Sequence, residues 1–178
     1  MPTLHLVSDD YGRALVFQGV RIVAAPEERP PFAVDAIAFE EDTNLLMSAR
    51  AELRVPKESF STLLTEIAAF EPLEPGTVVA QGEAPLRLLA IVHDIEQTPT
   101  WRKSWVKQAV AALLAEADEH AIEALCVPVL GSVHGAMSTA QFAAMFRQAL
   151  EAQAPKKLLR VWVMVSDNES DALLDAFR

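Results

Sequence analysis

The chain predicts an α/β protein, a three-layer α/β/α sandwich with a mixed central sheet. Three observations carry that expectation. Strand-like and helix-like stretches alternate over the C-terminal two thirds, the pattern of a sheet covered by helices. Leu86–Val92 (LRLLAIV) is apolar nearly throughout, as a central strand buried on both faces requires. The 178 residues, 51% of them hydrophobic, suit one domain over residues 1–178, which buries roughly 70% of the surface of its unfolded chain.

The elements follow in order. Leu4–Val7 and Ala14–Ala24 read as short strands, with turns at Tyr11-Gly12 and Gln18-Gly19. Ala25–Pro31, rich in proline and charge, is a loop. Val34–Phe39 is a strand. Pro56–Phe70 reads as a helix, because Phe60, Leu63, Leu64 and Ile67 share one face; Pro72 and Pro75-Gly76 end it. Thr77–Ala80 is a short strand, and Leu86–Val92 the central one. Thr98 is the expected N-cap, and Pro99 the first turn, of a helix reaching about His120. Its buried stripe is Val106, Val110, Leu113, Leu114 and Ala117, with Trp101 and Trp105 packing in or near the core. Ala124–Val129 is the next strand. Ser138-Thr-Ala-Gln141 has the pattern of a capping box, opening a helix with Phe142, Met145, Phe146, Ala149 and Leu150 on its buried face. Lys157–Val165 is a strand and Ser170–Phe177 a terminal helix.

Composition narrows the partners. A formal net charge of −10 argues against nucleic acid, whose binders present a basic stripe, and against an anionic membrane. The three positive charges of Trp101–Lys107 read as a solvated helix face. The pattern of a signal peptide is not visible in MPTLHLVSDD, and no apolar run approaches the ~18 residues of a membrane span. Cys126 is the single cysteine, so neither a disulfide nor a cysteine metal site arises within one chain. A cytoplasmic protein without a cofactor or metal is expected.

One junction invites chemistry. The strand ALCVPV runs into Gly131-Ser-Val-His-Gly135 just before the capping box. A glycine-rich turn beside a helix N-terminus can cradle an anion on backbone N–H groups alone. It can equally be a plain tight turn. It has neither the lysine of a P-loop nor the spacing of a dinucleotide fingerprint. His134 could meet a ligand or act in acid–base chemistry, or be a surface loop histidine. His93 and Asp94 adjoin at a strand end, where neighbouring side chains point to opposite faces, so structural hydrogen bonding is expected of them rather than catalysis. Glu40-Glu-Asp42 reads as a solvated loop, with a cation site or a base as the alternative. Asp9-Asp10 is read in the same way.

Taken in order, these stretches resemble a macro domain, a module that binds ADP-ribose. Ala124–Gly135 is similar to the family's strand-and-loop of the type IAFPALGTGVYG, with Pro128, Leu130, Gly131 and Gly135 matching. His134 takes the place of the aromatic that flanks the distal ribose, and the loop is one residue shorter. Leu89–His93 resembles the YVIHAVGP strand, Val34–Ile37 the VDAIVNAAN strand, and Leu4–Asp10 the first VxGD strand. The resemblance implies that Gly131, Ser132, Val133, His134 and Gly135 hold a distal phosphate, Asp10 the adenine amine and Asn168 the adenine edge. The departures are as specific. Phe39 and Asp42 stand where the family has asparagines, and Met47, Ser48, Ala49 and Arg50 where it has glycines that let backbone approach a diphosphate. Glu52 falls on the position of the family's catalytic acid. A binding module for ADP-ribose or a related nucleotide-type ligand is therefore expected, its binding weakened or lost by the altered first loop. Met47, Arg50 and the acid cluster are expected to narrow the crevice. Two alternatives stand beside it. One is an ADP-ribosyl or phosphoester hydrolase using Asp42 or Glu52 to orient water; the other is a ligand-free scaffold acting through protein contacts.

Overall fold

The computed structural model describes residues 5–9, 12–47, 71–133 and 135–178. The helix expected over Pro56–Phe70 lies outside them. Eight strands form one sheet: β1 (His5–Asp9), β2 (Gly12–Phe17), β3 (Val20–Ala25), β4 (Ala36–Asp42), β5 (Val78–Gln81), β6 (Leu86–His93), β7 (Ala124–Pro128) and β8 (Arg160–Met164), in the order β1-β2-β3-β8-β7-β4-β6-β5. The five inner strands β3, β8, β7, β4 and β6 run parallel. The outer pairs β1–β2, β2–β3 and β5–β6 are antiparallel. The sheet is mixed, as the sequence predicts.

Side-chain alternation explains why the inner strands look uniformly apolar. Leu88, Ala90 and Val92 join the core built with the helices, while Leu89 and Ile91 point to the other face, and all five are 1% exposed or less. The same split runs through β7, where Leu125 and Val127 face the helices and Cys126 the opposite side. Burying both faces leaves no position for the polar half of an alternating strand. Cys126 and Ala25 pack there with Trp162, which donates from Nε1 to the Ala25 carbonyl at 2.9 Å. Phe32 and Val34, between the proline-rich loop and β4, lie against this cluster. Burial pushes the Cys126 thiol up to about 12, with Glu27 adding a smaller push.

Three described helices supply the main core: α1 (Lys103–Glu119), α2 (Thr139–Gln153) and α3 (Ser170–Asp175). Val106, Val110, Leu113, Leu114 and Ala117 of α1 are buried, as their spacing predicts. On α2, Phe142, Phe146 and Leu150 are fully buried, and Met145 and Ala149 pack at the margin. The capping box is present: Ser138 Oγ accepts from Gln141 N, and the Gln141 side chain accepts from Ser138 N.

The start of α1 corrects the expectation. Thr98 is not its cap, and Pro99 is not in its first turn. The N-cap is Arg102, with no side-chain hydrogen bond. The preceding segment is claimed by β6 instead. The Asp94 carboxylate accepts from Glu96 N at 3.0 Å and from Gln97 Nε2 at 2.6 Å, Asp94 N donates to Thr100 O, and Trp101 bridges back to His93. Asp94 side-chain bonds close a turn that outcompetes the local helix signal.

Parallel pairing places the carboxyl ends of β3, β8, β7, β4 and β6 along one edge of the sheet. Because β2 pairs antiparallel with β3, from Arg13 opposite Ala24, the paired residues Asp9 and Gly12 lie at the same edge. Folds of this kind receive ligands there.

Candidate functional site

The loop after β7 folds upon itself. Gly131 has φ +78, in the left-handed region that glycine tolerates best. A Cβ on Gly131 would lie 3.1 Å from Val106 Cγ2, and one on Gly135 would lie 2.3 Å from Gly131 O and 2.7 Å from Trp101 Cδ2. Both glycines thus have a packing reason that needs no ligand: the loop doubles back against the Trp101 indole. Ser132 Oγ donates to Val129 O at 2.7 Å, and Met137 N to Gly131 O at 3.2 Å, closing the turn. Ser132 is exposed, and Val133 at the tip is 72% exposed. His134 lies outside the described residues.

A buried carboxylate reaches this loop. Glu40, near the end of β4, accepts from Gly131 N at 2.8 Å on Oε2, while its Oε1 contacts His93 Nε2. The side chains of Glu40 and His93 are only 8% and 4% exposed. One carboxylate thereby joins the ends of three strands, β4, β6 and β7, and takes the N–H that opens the glycine loop.

The other two acids of the cluster overturn the solvated-loop expectation. Glu41 is 0% and Asp42 1% exposed. Asp42 accepts from Asn44 N at 2.8 Å on Oδ1, and from Leu46 N at 3.0 Å and Met47 N at 2.9 Å on Oδ2. Glu41 Oε1 accepts from Met47 N at 2.8 Å and Asp42 N at 3.1 Å. Both carboxylates are turned onto the backbone that follows, where the charge meets the N–H groups of a helical turn beginning at Leu46. This binds the carboxylates into the fold and orients neither of them for a cation. Among the described residues, no group of three or more His, Cys, Asp or Glu is placed to hold a metal ion. Phe39 is 36% exposed, with the Arg87 guanidinium 5.1 Å from its ring centroid.

One strand further along the edge, Asn168 is exposed in the 3₁₀ turn Asp167–Glu169 that follows β8. Glu169 ties that turn to the start of α2, accepting from Thr139 Oγ1 at 2.7 Å and Ser166 Oγ at 2.8 Å. These bonds, that of Thr139 foremost, hold its carboxyl below the ordinary value of 4.5. Arg29 of the proline-rich loop pairs with Asp167, and Arg13 of β2 with Asp171 of α3.

Of the sequence-derived candidates, the structure thus sets Gly131, Ser132, Val133, Gly135, Asp42 and Asn168 along one edge. Asp10, Glu52 and Arg50 lie outside the described residues; Asp9 and Gly12, flanking Asp10, are at that edge. Of the residues expected to narrow the crevice, Met47 and the three acids are described, and Glu41 and Asp42 both accept from Met47 N. Sequence reasoning missed the distinct part of Glu40. Strand parity does set it on the helix side with Ala36 and Ala38, but nothing in the sequence says that it meets Gly131.

The sequence matches no protein-family model and no curated protein. Its fold, in contrast, matches solved structures, two of the following three over nearly their whole length. A mutant Oceanobacillus iheyensis macrodomain with ADPR aligns at TM-score 0.62 and 13% identity, covering 98% of this chain and 96% of that one. The same macrodomain with ADP aligns at 0.62 and 13%, covering 99% and 95%. A Trypanosoma brucei macrodomain in complex with ADP aligns at 0.61 and 14%, covering 88% and 69%.

Proposed function

We propose, from the premise that this chain has the macrodomain fold, that it is a binding module for ADP-ribose or a closely related nucleotide diphosphate. The ligand would lie across the carboxyl edge of the sheet. The observation that carries the reading is the gathering there of Gly131 and its loop, the Asn168 turn and the strand ends at Asp9 and Gly12. In this reading the loop with Ser132, Val133 and His134 lies beside the distal phosphate, Asn168 at the adenine edge and Asp10 at the adenine amine. Binding is weak, because Gly131 N–H already serves a carboxylate. Hydrolysis through Asp42 draws no support, since both its oxygens bind backbone N–H groups.

Calorimetric titration with ADP-ribose, ADP and AMP tests the proposal on the wild type and on Val133→Glu, a change at an exposed tip that leaves the core untouched. Saturable binding of ADP-ribose, weakened about tenfold or more by the added negative charge, is the expected result. Absence of binding at millimolar ligand, or affinity indifferent to Val133→Glu, would overturn it.

A further inference from the structure

We propose that Glu40 determines which ligands this crevice accepts, by acting as a resident anion on the glycine loop. The inference rests on the binding reading above and deepens it. Its grounds are geometric. Gly131 N–H is the first donor of the loop, and a loop of this kind attracts an anion through such donors. Here that donor meets Glu40 Oε2 at 2.8 Å. The carboxylate is not a passing surface group. It is nearly buried, it stands on a strand of the parallel sheet, and its second oxygen is engaged by His93, itself nearly buried.

Two consequences follow for a phosphate approaching this loop. It finds one donor already taken, and it faces the negative charge of a nearly buried carboxylate, which solvent screens weakly. A phosphate can bind fully only if Glu40 swings away, leaving His93 without that partner. A neutral part of a ligand, such as a nucleoside, meets no such opposition. Glu40 therefore selects against negative charge at Gly131 specifically, which a general loosening of the loop would not do.

Glu40→Gln tests this while keeping the shape, since its amide can still accept from Gly131 N and face His93. Glu40→Ala removes the group altogether. ADP-ribose, inorganic pyrophosphate and adenosine are titrated into all three proteins by calorimetry, with thermal unfolding as a check on folding. The expected result is a gain of about tenfold or more in affinity for ADP-ribose and pyrophosphate in Glu40→Gln, with adenosine unchanged. In Glu40→Ala, pyrophosphate is expected to raise Tm by replacing the lost carboxylate. Binding of ADP-ribose that is equal or weaker in Glu40→Gln overturns the role of Glu40 and leaves the binding reading standing. Binding by Glu40→Gln but not by the wild type supports the role of Glu40 while overturning the reading of the wild type as a binding module. A parallel gain for adenosine overturns it, because charge would not be the cause. No binding of any ligand by any of the three proteins overturns both readings.

Discussion

Gly135 shows how a single residue can look like a ligand site and still answer to packing. Its missing Cβ leaves room for Gly131 O and for the indole of Trp101, and one of those neighbours is backbone that cannot swing aside. Gly135→Ala is expected to destabilise the fold by about 1–3 kcal/mol, the usual cost of overpacking, measured by urea unfolding. Cys126 makes the opposite point. As the single cysteine it is the one thiol a reagent could meet, but it is buried and pushed up to about 12. It is expected to resist thiol reagents in the native protein at pH 8 and to react only as fast as the protein opens, checked by mass spectrometry of labelled protein. The sign of the accompanying pH effect follows from linkage. The unfolded thiol ionises near its ordinary value of 9.0 and the folded one near 12, so this stability is full below 9 and declines as pH rises through that window.

Among the elements, the segment after β4 is organised by its acids. Asp42 holds the N–H groups of Asn44, Leu46 and Met47, in the manner of a helix cap. Asp42→Ala is expected to cost about 1–3 kcal/mol, because donors in a partly buried turn lose their acceptor, while Asp42→Asn retains part of the bonding and costs less. Denaturant curves on both variants give the comparison; equal stability of all three proteins would contradict the capping role. The start of α2 is built by two separate devices. Ser138 closes the capping box, and Ser138→Ala is expected to remove about 1 kcal/mol. Thr139 anchors Glu169, whose carboxyl is held below 4.5 by that bond and the one from Ser166. A lowered folded value contributes stability that is present above the unfolded value and is lost as pH falls through the folded one. Thr139→Val should therefore lower Tm most at neutral pH and flatten the acid limb of a Tm-against-pH profile below about pH 4.5, the variant and the wild type converging in strong acid.

For the molecule as a whole, the net charge of −10 works against any anionic ligand from every direction. Most nucleotide sites lose affinity as salt screens an attractive field; here salt screens a repulsive one. ADP-ribose affinity is expected to hold or rise between about 50 and 300 mM NaCl, measured by calorimetry, and a steep loss would contradict that account. The layered architecture was legible in the chain because it rests on period. LRLLAIV announces a strand buried on both faces, and the α1 and α2 stripes repeat at helical spacing; burial is a local demand that each segment records in its own composition. The order of strand-like and glycine-containing stretches likewise pointed to the macrodomain fold, although 13–14% identity to the solved structures leaves little else in common. Local signals failed where a distant partner competed for them. Thr98-Pro99 has every mark of a helix start, yet Asp94 and the bridge from Trp101 to His93 hold that segment as a turn. The three acids at the end of β4 are alike as letters, and only the pairing of β4 with β6 and β7 separates them. That pairing leaves Asp42 and Glu41 bound to the backbone that follows and carries Glu40 to Gly131, about ninety positions away in the chain. The sequence by itself determined the layers, the order of strands and helices along the chain and the glycine loop. Tertiary structure alone decided which charge stands at that loop, because a hydrogen bond between distant residues leaves no periodic trace in either of them.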